Sequence, residues 1–207
     1  MQYTIKAPDT INSTVNLPAS KSISNRALII YALSGGKKMP ENLSDCDDTE
    51  VIIKALENMP DVIDIKAAGT AMRFMSAYLS VTPGSHIITG TERMKHRPIG
   101  VLVDALRFLG ADIEYMGEEG FPPLKITGGK HDGGHLEISG GISSQYISAL
   151  LMIGPVLVKG LELKLTGDII SRPYIDLTLW MMKEFGADAD WSDIDTITVK
   201  PQPYTSR

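Results

Sequence analysis

The sequence predicts an α/β protein made of three repeated βαβαββ-like units around a pseudo-threefold axis. Short apolar strands alternate with helices along the whole chain, as in layered α/β folds. A fixed register also recurs, because Gly69 and Ser143 open equivalent helices 74 positions apart, and Arg97 and Ser171 are separated by the same distance. Two later helices end in the same Gly-Ala-Asp sequence, which favours true repetition. We place the units at about residues 13–66, 67–140 and 141–207.

The first unit has well-marked helix boundaries and weaker strands. One helix begins at Ser20 and ends before Gly35-Gly36, and a second follows three aspartates whose charge favours a helix N-terminus. Pro40 interrupts one strand, which we therefore expect at a sheet edge. The predicted elements are strands at 2–7, 15–17, 39–43 and 62–65 and helices at 20–33 and 50–58.

The second and third units repeat this order, and the residues that begin and end their helices are easier to recognise. Pro98 and Pro173 begin the second helix of each unit, and Gly110 and Gly186 end it, as proline and glycine commonly do. The apolar faces of the helices are wide, so we expect the sheets to cover them. The predicted elements are helices at 71–79, 99–109, 146–153 and 174–185 and strands at 86–89, 112–115, 124–127, 136–139, 161–166 and 196–200.

Composition narrows the classes of function. A formal charge of −5 argues against a general nucleic-acid surface, and no apolar run approaches the length of a membrane span. A single cysteine, Cys46, excludes an internal disulfide framework and fits a reducing compartment, although its position between two aspartates is a poor setting for a thiolate. The four histidines lack the spacing of metal ligands. We therefore expect a cytoplasmic protein with no nucleic-acid or membrane partner and no metal.

Basic residues at helix openings indicate an anion site. Lys21, Ser22 and Arg26 crowd the first turns of the first helix, where the helix dipole and free backbone N–H groups already attract negative charge. If the units surround one axis, the openings at 21–22, 69–70 and 143–144 converge. Such a mouth suits a small substrate with several negative charges. The candidate cations are Lys21, Arg26, Arg73, Arg97 and Arg172.

Five ordered stretches of the chain resemble the successive motifs of the EPSP synthase (3-phosphoshikimate 1-carboxyvinyltransferase) family. They are LPASKSISNRAL, AAGTAMRF, RMKHRPIGVLVDALRFLGA, SSQYISALLM and SRPYIDLTLWMMKEFGA. The resemblance implies a protein of two similar domains, each of three βαβαββ-like units, and about twice this length. It also implies that residues 1–12 form a strand of the absent second domain and that residues 13–207 form the shikimate 3-phosphate-binding domain.

The resemblance further implies a reaction and the residues that serve it. The enolpyruvyl group of phosphoenolpyruvate would move to the 5-hydroxyl of shikimate 3-phosphate, with release of phosphate and without a cofactor. The parent would be a monomer whose remaining acid–base residues lie in the absent half, so this chain alone would be inactive. Lys21 would be catalytic. Shikimate 3-phosphate would be held by Lys21, Ser22, Arg26, Ser143, Ser144, Gln145, Ser171 and Tyr174. Phosphoenolpyruvate would be held by Lys21, Gly69, Arg97 and Gln145.

Several of these residues also have a purely structural interpretation. Ser143 and Ser144 could be ordinary helix caps, and Tyr174 a half-buried core phenol. Gly69 could be no more than the first residue of a helix, although close backbone approach to a ligand also favours glycine. The role of Arg73 stays open. Three aspartates, which fit helix capping better than a catalytic cluster, are Asp45, Asp47 and Asp48.

Departures from the family pattern and two other functions stay open at this point. Ala19 stands where glycine is common in the family, and Ala67 where asparagine is common, which affects the fine geometry beside phosphoenolpyruvate. The related UDP-N-acetylglucosamine enolpyruvyl transferases typically carry a catalytic cysteine in the loop that corresponds to 92–98, and this chain has none there. A stand-alone phosphoacid-binding module is the third possibility, because the second, carboxylate-bearing half is absent.

Overall fold

The computed structural model describes residues 2–205. Residues 1, 206 and 207, which belong to the predicted domains 1–12 and 13–207, lie outside the described residues. After residue 60 the helices and strands follow the predicted order, with an additional short helix at 92–95 and an additional strand at 189–191. The helices are α1 (Lys21–Leu33), α2 (Asp47–Asn58), α3 (Gly69–Val81), α4 (Glu92–Lys95), α5 (Gly100–Phe108), α6 (Ser144–Ile153) and α7 (Arg172–Glu184). The strands are β1 (Val62–Asp64), β2 (Gly84–Thr89), β3 (Asp112–Tyr115), β4 (Leu124–Gly128), β5 (Gly134–Ser139), β6 (Leu161–Thr166), β7 (Ala189–Trp191) and β8 (Thr196–Val199).

Two four-stranded mixed sheets of the same topology organise the second and third units. Their strand orders are β1-β2-β4-β3 and β5-β6-β8-β7, and in each the first pair is parallel while the other pairs are antiparallel. Each sheet together with its helices, α3 and α5 or α6 and α7, is one complete βαβαββ unit. The predicted α/β architecture of repeated units is therefore confirmed for these two units.

The unit boundaries lie earlier in the chain than the sequence suggests. Val62 of β1 pairs with Ile87 of β2, and Gly134 of β5 pairs with Leu161 of β6. A parallel pair encloses its crossover helix, so the strand before that helix belongs to the same unit as the strand after it. The second and third units therefore run from β1 to β4 and from β5 to β8, and the boundaries at 66/67 and 140/141 are wrong.

The first unit contributes two helices and, within residues 2–205, no strand. The segments 2–7, 15–17 and 39–43 are not paired with any strand, so the strand predictions there are wrong for this structure. A strand needs a neighbour for its backbone groups, and the described part of this unit offers none. Ile5 and Leu17 are consequently 91% and 85% exposed. That residues 1–12 belong to a second domain stays a prediction.

The helices pack in a cyclic order that relates the three units. The first helices of the units, α1, α3 and α6, all contact one another. Each second helix also packs on the first helix of the next unit: α2 on α3, α5 on α6, and α7 on α1. This is the arrangement expected around a pseudo-threefold axis, and it buries α3 from Gly69 to Ser80 on all sides. The N-terminal ends of the three inner helices meet at one end of the axis.

Tyr204 provides a test of how residues near the end of the described chain contribute to stability. Its hydroxyl is buried and donates to the main-chain oxygen of Met152 at 2.8 Å, and burial raises its pKa well above the usual 10.0. Above pH 10 the unfolded chain ionises this phenol while the folded chain does not, so its contribution to stability is lost as the pH rises. We expect Tyr204→Phe to lower the free energy of unfolding by about 1 kcal/mol at pH 7.

The same variant should lose stability less steeply than the parent above pH 10, because it has no phenol at this position to ionise. Urea denaturation at pH 7 and at two values above 10 measures both effects. If the free energy of unfolding fell with pH equally steeply in the two proteins, this interpretation of Tyr204 would be contradicted.

Candidate active site

The N-termini of α1, α3 and α6 surround a cavity of about 270 Å³. Seven of the side chains predicted to bind shikimate 3-phosphate lie there together, so the predicted convergence of separate helix openings holds for them. Each opening also carries backbone N–H groups that lack helical partners, which favours negative charge in the cavity. The residues that line it are Lys21, Ser22, Arg26, Thr70, Ser143, Ser144, Gln145 and Tyr174.

Arg26 places a buried positive charge at the floor of this cavity. It is only 3% exposed, and its guanidinium lies 5.4 Å from the ring centre of Phe74. It donates to the hydroxyls of Thr178 and Ser148 at 2.7 and 2.9 Å and to the main-chain oxygen of Ser22 at 2.9 Å. Burial lowers the pKa of Arg26 to about 10, so it is still charged at neutral pH. No described carboxylate compensates this charge, and an anionic ligand would.

Lys21 lines the same cavity and is held by Asp48. Its Nζ lies 3.3 Å from one carboxylate oxygen of Asp48, and the other oxygen accepts the Thr70 N–H at 3.2 Å. Asp48 is in the first turn of α2, as the capping interpretation predicts, but its side chain reaches the N-terminus of α3 instead. Only the tertiary structure shows this bridge between the first and second units, which the capping interpretation of Asp48 does not predict.

Gly69 and Arg97 meet beside a second, smaller cavity of about 210 Å³, which Ala67, Arg93 and Arg97 line together with Met94. A Cβ atom added to Gly69 would lie 2.5 Å from Nη1 of Arg97. Within residues 2–205, the Arg97 guanidinium has no hydrogen bond or ion pair of its own. Two of the four residues predicted to hold phosphoenolpyruvate, Gly69 and Arg97, are therefore neighbours, and the Arg97 guanidinium is available for a ligand.

Substitution of Gly69 tests whether this close approach matters. In Gly69→Ala the new methyl group would meet the end of Arg97 and also Nη1 of Arg73, 2.9 Å away, so the ends of both side chains should shift while the fold stays intact. We expect about a tenfold loss of phosphoenolpyruvate affinity, the size of one weakened charge-assisted hydrogen bond, with a change below about 1 kcal/mol in the free energy of unfolding. Calorimetric titration and urea denaturation of the variant measure these quantities. An unchanged affinity would show that Gly69 merely starts the helix.

The remaining candidates have structural partners. Ser143 caps α6 by accepting the Gln145 N–H at 3.4 Å, so it serves as a cap while it also lines the larger cavity. Ser171 is the residue before α7 and is not among the residues that line either cavity. Arg172 lies 3.9 Å from the ring centre of Trp191 and donates to the main-chain oxygen of Ile194. Its expected place in the mouth is therefore wrong, because stacking turns it towards the β7–β8 turn.

The prediction for Cys46 changes once the side chains are placed. Burial alone would raise the pKa of the Cys46 thiol, but hydrogen bonds with Ser44 and Thr49 and the charge of Lys21 lower it below its usual 9.0, so the setting is better for a thiolate than the sequence suggested. Among residues 2–205, no group of three or more His, Cys, Asp or Glu side chains is arranged to hold a metal ion.

A larger cavity, about 610 Å³, lies elsewhere, between α5 and the edge strand β5. Apolar side chains dominate its wall, including Val101, Phe108 and Leu136, and its charged members are Asp104, Glu137 and His135. An acidic and apolar groove does not suit a multiply charged anion. The cavity at the three helix N-termini is therefore the better candidate site in spite of its smaller volume.

Comparison with known proteins supplies the family. The profile described as EPSP synthase (3-phosphoshikimate 1-carboxyvinyltransferase) matches residues 5–60 and 57–207. A relative from Bacteroides fragilis named 3-phosphoshikimate 1-carboxyvinyltransferase is 65% identical over 204 residues, which cover 99% of this chain and 50% of the relative. The chain belongs to the EPSP synthase family.

More distant relatives agree with that assignment. A 3-phosphoshikimate 1-carboxyvinyltransferase from Shewanella halifaxensis is 39% identical over 95% of this chain and 52% of the relative. The solved EPSP synthase of Acinetobacter baumannii superposes with a TM-score of 0.79 at 23% identity, over 93% of this chain and 48% of that structure, which confirms the fold. The chain thus spans about half the length of the EPSP synthases that it matches. The UDP-N-acetylglucosamine alternative is not favoured.

No described helix is both long and apolar enough to cross a membrane.

Proposed function

We propose that this chain is the shikimate 3-phosphate-binding half of an EPSP synthase and that it works in the cytoplasm. The observation that carries the proposal is the uncompensated Arg26 guanidinium beneath three converging helix N-termini. A phosphate dianion would accept charge-assisted hydrogen bonds from Arg26 and Lys21 and from the backbone N–H groups around them. The hydroxyls of Ser143, Ser144 and Tyr174 would then bind the polar groups of the shikimate ring.

Phosphoenolpyruvate would bind between Lys21 and the smaller cavity. Arg97 would hold one of its anionic groups, and the N-terminus of α3 at Gly69 would hold another. Gln145 would contact both substrates from the first turn of α6. Lys21 lines the larger of the two cavities and would stabilise the negative charge on whichever substrate oxygen faces it.

The reaction would proceed by addition and elimination. The 5-hydroxyl oxygen of shikimate 3-phosphate bonds to C2 of phosphoenolpyruvate while the hydroxyl loses its proton and C3 gains one. The tetrahedral adduct then loses phosphate from C2 as C3 gives up a proton. These proton transfers need acid–base groups near neutral pKa. Asp48, already tied to Lys21 and Thr70, is a poor choice for them, so we assign them to a second domain that closes over this cavity.

Calorimetry with the 207-residue chain tests the proposal. We expect one molecule of shikimate 3-phosphate to bind, unphosphorylated shikimate to bind far more weakly, and UDP-N-acetylglucosamine not to bind. We also expect no enolpyruvyl transfer by this chain alone. Tighter binding of UDP-N-acetylglucosamine would overturn the choice of substrate, and robust turnover by the pure chain would overturn the need for a second domain. Affinity for other phosphorylated acids equal to that for shikimate 3-phosphate would favour a stand-alone phosphoacid-binding module.

A further inference from the structure

We propose that Tyr146 and Arg73 are positioning residues that fix the Arg97–Pro98 segment against the N-terminus of α3 and so set the affinity for phosphoenolpyruvate. The inference rests on the proposed function, since it concerns the smaller cavity beside Gly69. Neither side chain lines that cavity, so both would act through Arg97.

The main-chain oxygen of Pro98 is the point where the two side chains meet. The Tyr146 hydroxyl donates to it at 2.9 Å, and Nη2 of Arg73 donates to it at 3.3 Å. Tyr146 belongs to α6 and Arg73 to α3, so the third and second units both hold one peptide group in the segment between α4 and α5. Pro98 also restricts its own backbone torsion, which leaves the preceding Arg97 little freedom to move.

Arg73 connects this peptide group to Gly69. The side chain of Arg73 is 6% exposed, and its Nη1 donates to the main-chain oxygen of Gly69 at 2.9 Å. One planar guanidinium therefore holds Gly69 and Pro98 at a fixed separation, as a lysine could not. The guanidinium also lies 5.5 Å from the ring centre of Tyr146, so the two positioning side chains support each other.

These contacts explain how the side chain of an exposed arginine can be held in one position for ligand binding. Arg97 is itself exposed and without a side-chain partner in the described chain, and the loop that carries it follows a helix of only four residues. Without an anchor such a side chain would lose conformational freedom on binding and weaken the complex. Two hydrogen bonds to the next peptide group reduce that cost before the ligand arrives.

Tyr146→Phe is the direct test, because it removes only the hydroxyl. In the 207-residue chain saturated with shikimate 3-phosphate, we expect phosphoenolpyruvate to bind about three- to tenfold more weakly, the worth of one hydrogen bond. The affinity for shikimate 3-phosphate alone should stay within twofold, and urea denaturation should show an intact fold. Arg73→Lys, which keeps the charge but not the fork, should show the same split between the two ligands.

A matched control is available in a second arginine–tyrosine pair. Arg107 lies 4.9 Å from the ring centre of Tyr115, and neither residue lines a cavity of the candidate site. Tyr115→Phe should leave both affinities unchanged. Equal losses for the two ligands in Tyr146→Phe would indicate a merely structural role and overturn the inference, as would an unchanged affinity for phosphoenolpyruvate. Failure of the parent chain to bind either ligand would instead overturn the proposed function.

Discussion

Arg26→Met is expected to reduce the affinity for shikimate 3-phosphate by about 100-fold, because the phosphate would lose both the positive charge beneath it and the hydrogen bond from the one Arg26 N–H group that no oxygen of the described chain accepts. Methionine supplies an unbranched apolar side chain but lacks the guanidinium, which lies over the Phe74 ring in the parent. The free energy of unfolding should change by less than about 1 kcal/mol, because the lost hydrogen bonds are offset by relief from burying a charge without a carboxylate partner. Thr178 and Ser148 lie 2.8 Å apart and can satisfy each other in the variant.

Calorimetric titration of the parent and variant chains, together with urea denaturation, measures both quantities. Arg107→Met is the control, since Arg107 is an exposed arginine that donates to the main-chain oxygen of Ile113, away from the site. A variant at Arg26 that unfolds would leave affinity uninterpretable by itself, so Arg26→Lys is the second test: it should fold and bind at least tenfold more weakly. Full affinity in either folded variant would contradict the proposed phosphate position.

Arg97→Ala should produce the second largest loss of affinity, and the ligand affected should be phosphoenolpyruvate. We expect phosphoenolpyruvate affinity to fall by about 10- to 100-fold, because one charge-assisted contact is lost. Such a contact contributes about 1.5–3 kcal/mol to the free energy of binding, which corresponds to that loss of affinity. The affinity for shikimate 3-phosphate should stay within twofold, since Arg97 does not line the larger cavity. Stability should not change, because the guanidinium has no partner in the described chain.

Lys95→Ala is the control for net charge. Lys95 lies two positions away and pairs with Glu92 at 2.7 Å, so its removal takes one positive charge from the same segment without emptying the cavity. Titration of phosphoenolpyruvate into each variant saturated with shikimate 3-phosphate would measure the two affinities for comparison. Equal losses in Arg97→Ala and Lys95→Ala would mean that general charge, and not a specific contact, attracts phosphoenolpyruvate.

Structural features that depend only on the local sequence were predictable. The six longer helices of the described chain could be placed because their apolar stretches are long and their ends carry proline, glycine or serine, whereas the four-residue α4 and the three-residue β7 were not predicted. The equal offsets between Gly69 and Ser143 and between Arg97 and Ser171 predicted that helix openings would converge. The cavity that contains Lys21 and Ser144 is the direct result of that repetition.

Features that depend on a neighbour were not predictable. The segments 15–17 and 39–43 have strand-like sequences, but strands form only against a partner, and the described first unit provides none. Asn42 also adopts a left-handed conformation that interrupts the second of these segments. In the same way, no local pattern shows that Arg172 stacks on Trp191.

The missed parts of the candidate site are contacts between units. The bridge from Asp48 to Lys21 and Thr70 joins two helix N-termini that are distant in sequence. Tyr146 follows directly after a predicted ligand residue, Gln145, but its hydroxyl bonds to Pro98, which is 48 positions earlier. A single sequence carries the residue types for such contacts and no signal for the pairing.

The most direct test is a nuclear magnetic resonance titration of the ¹⁵N-labelled chain with shikimate 3-phosphate. Binding in the cavity at the three helix N-termini should give the largest amide shift changes at 21–26, 69–70 and 143–145, with saturation at one ligand per chain. Arg26→Met should remove these changes at the same ligand concentration. Shift changes confined to the apolar groove between α5 and β5, or scattered over the surface without saturation, would show that these helix openings do not form the substrate site.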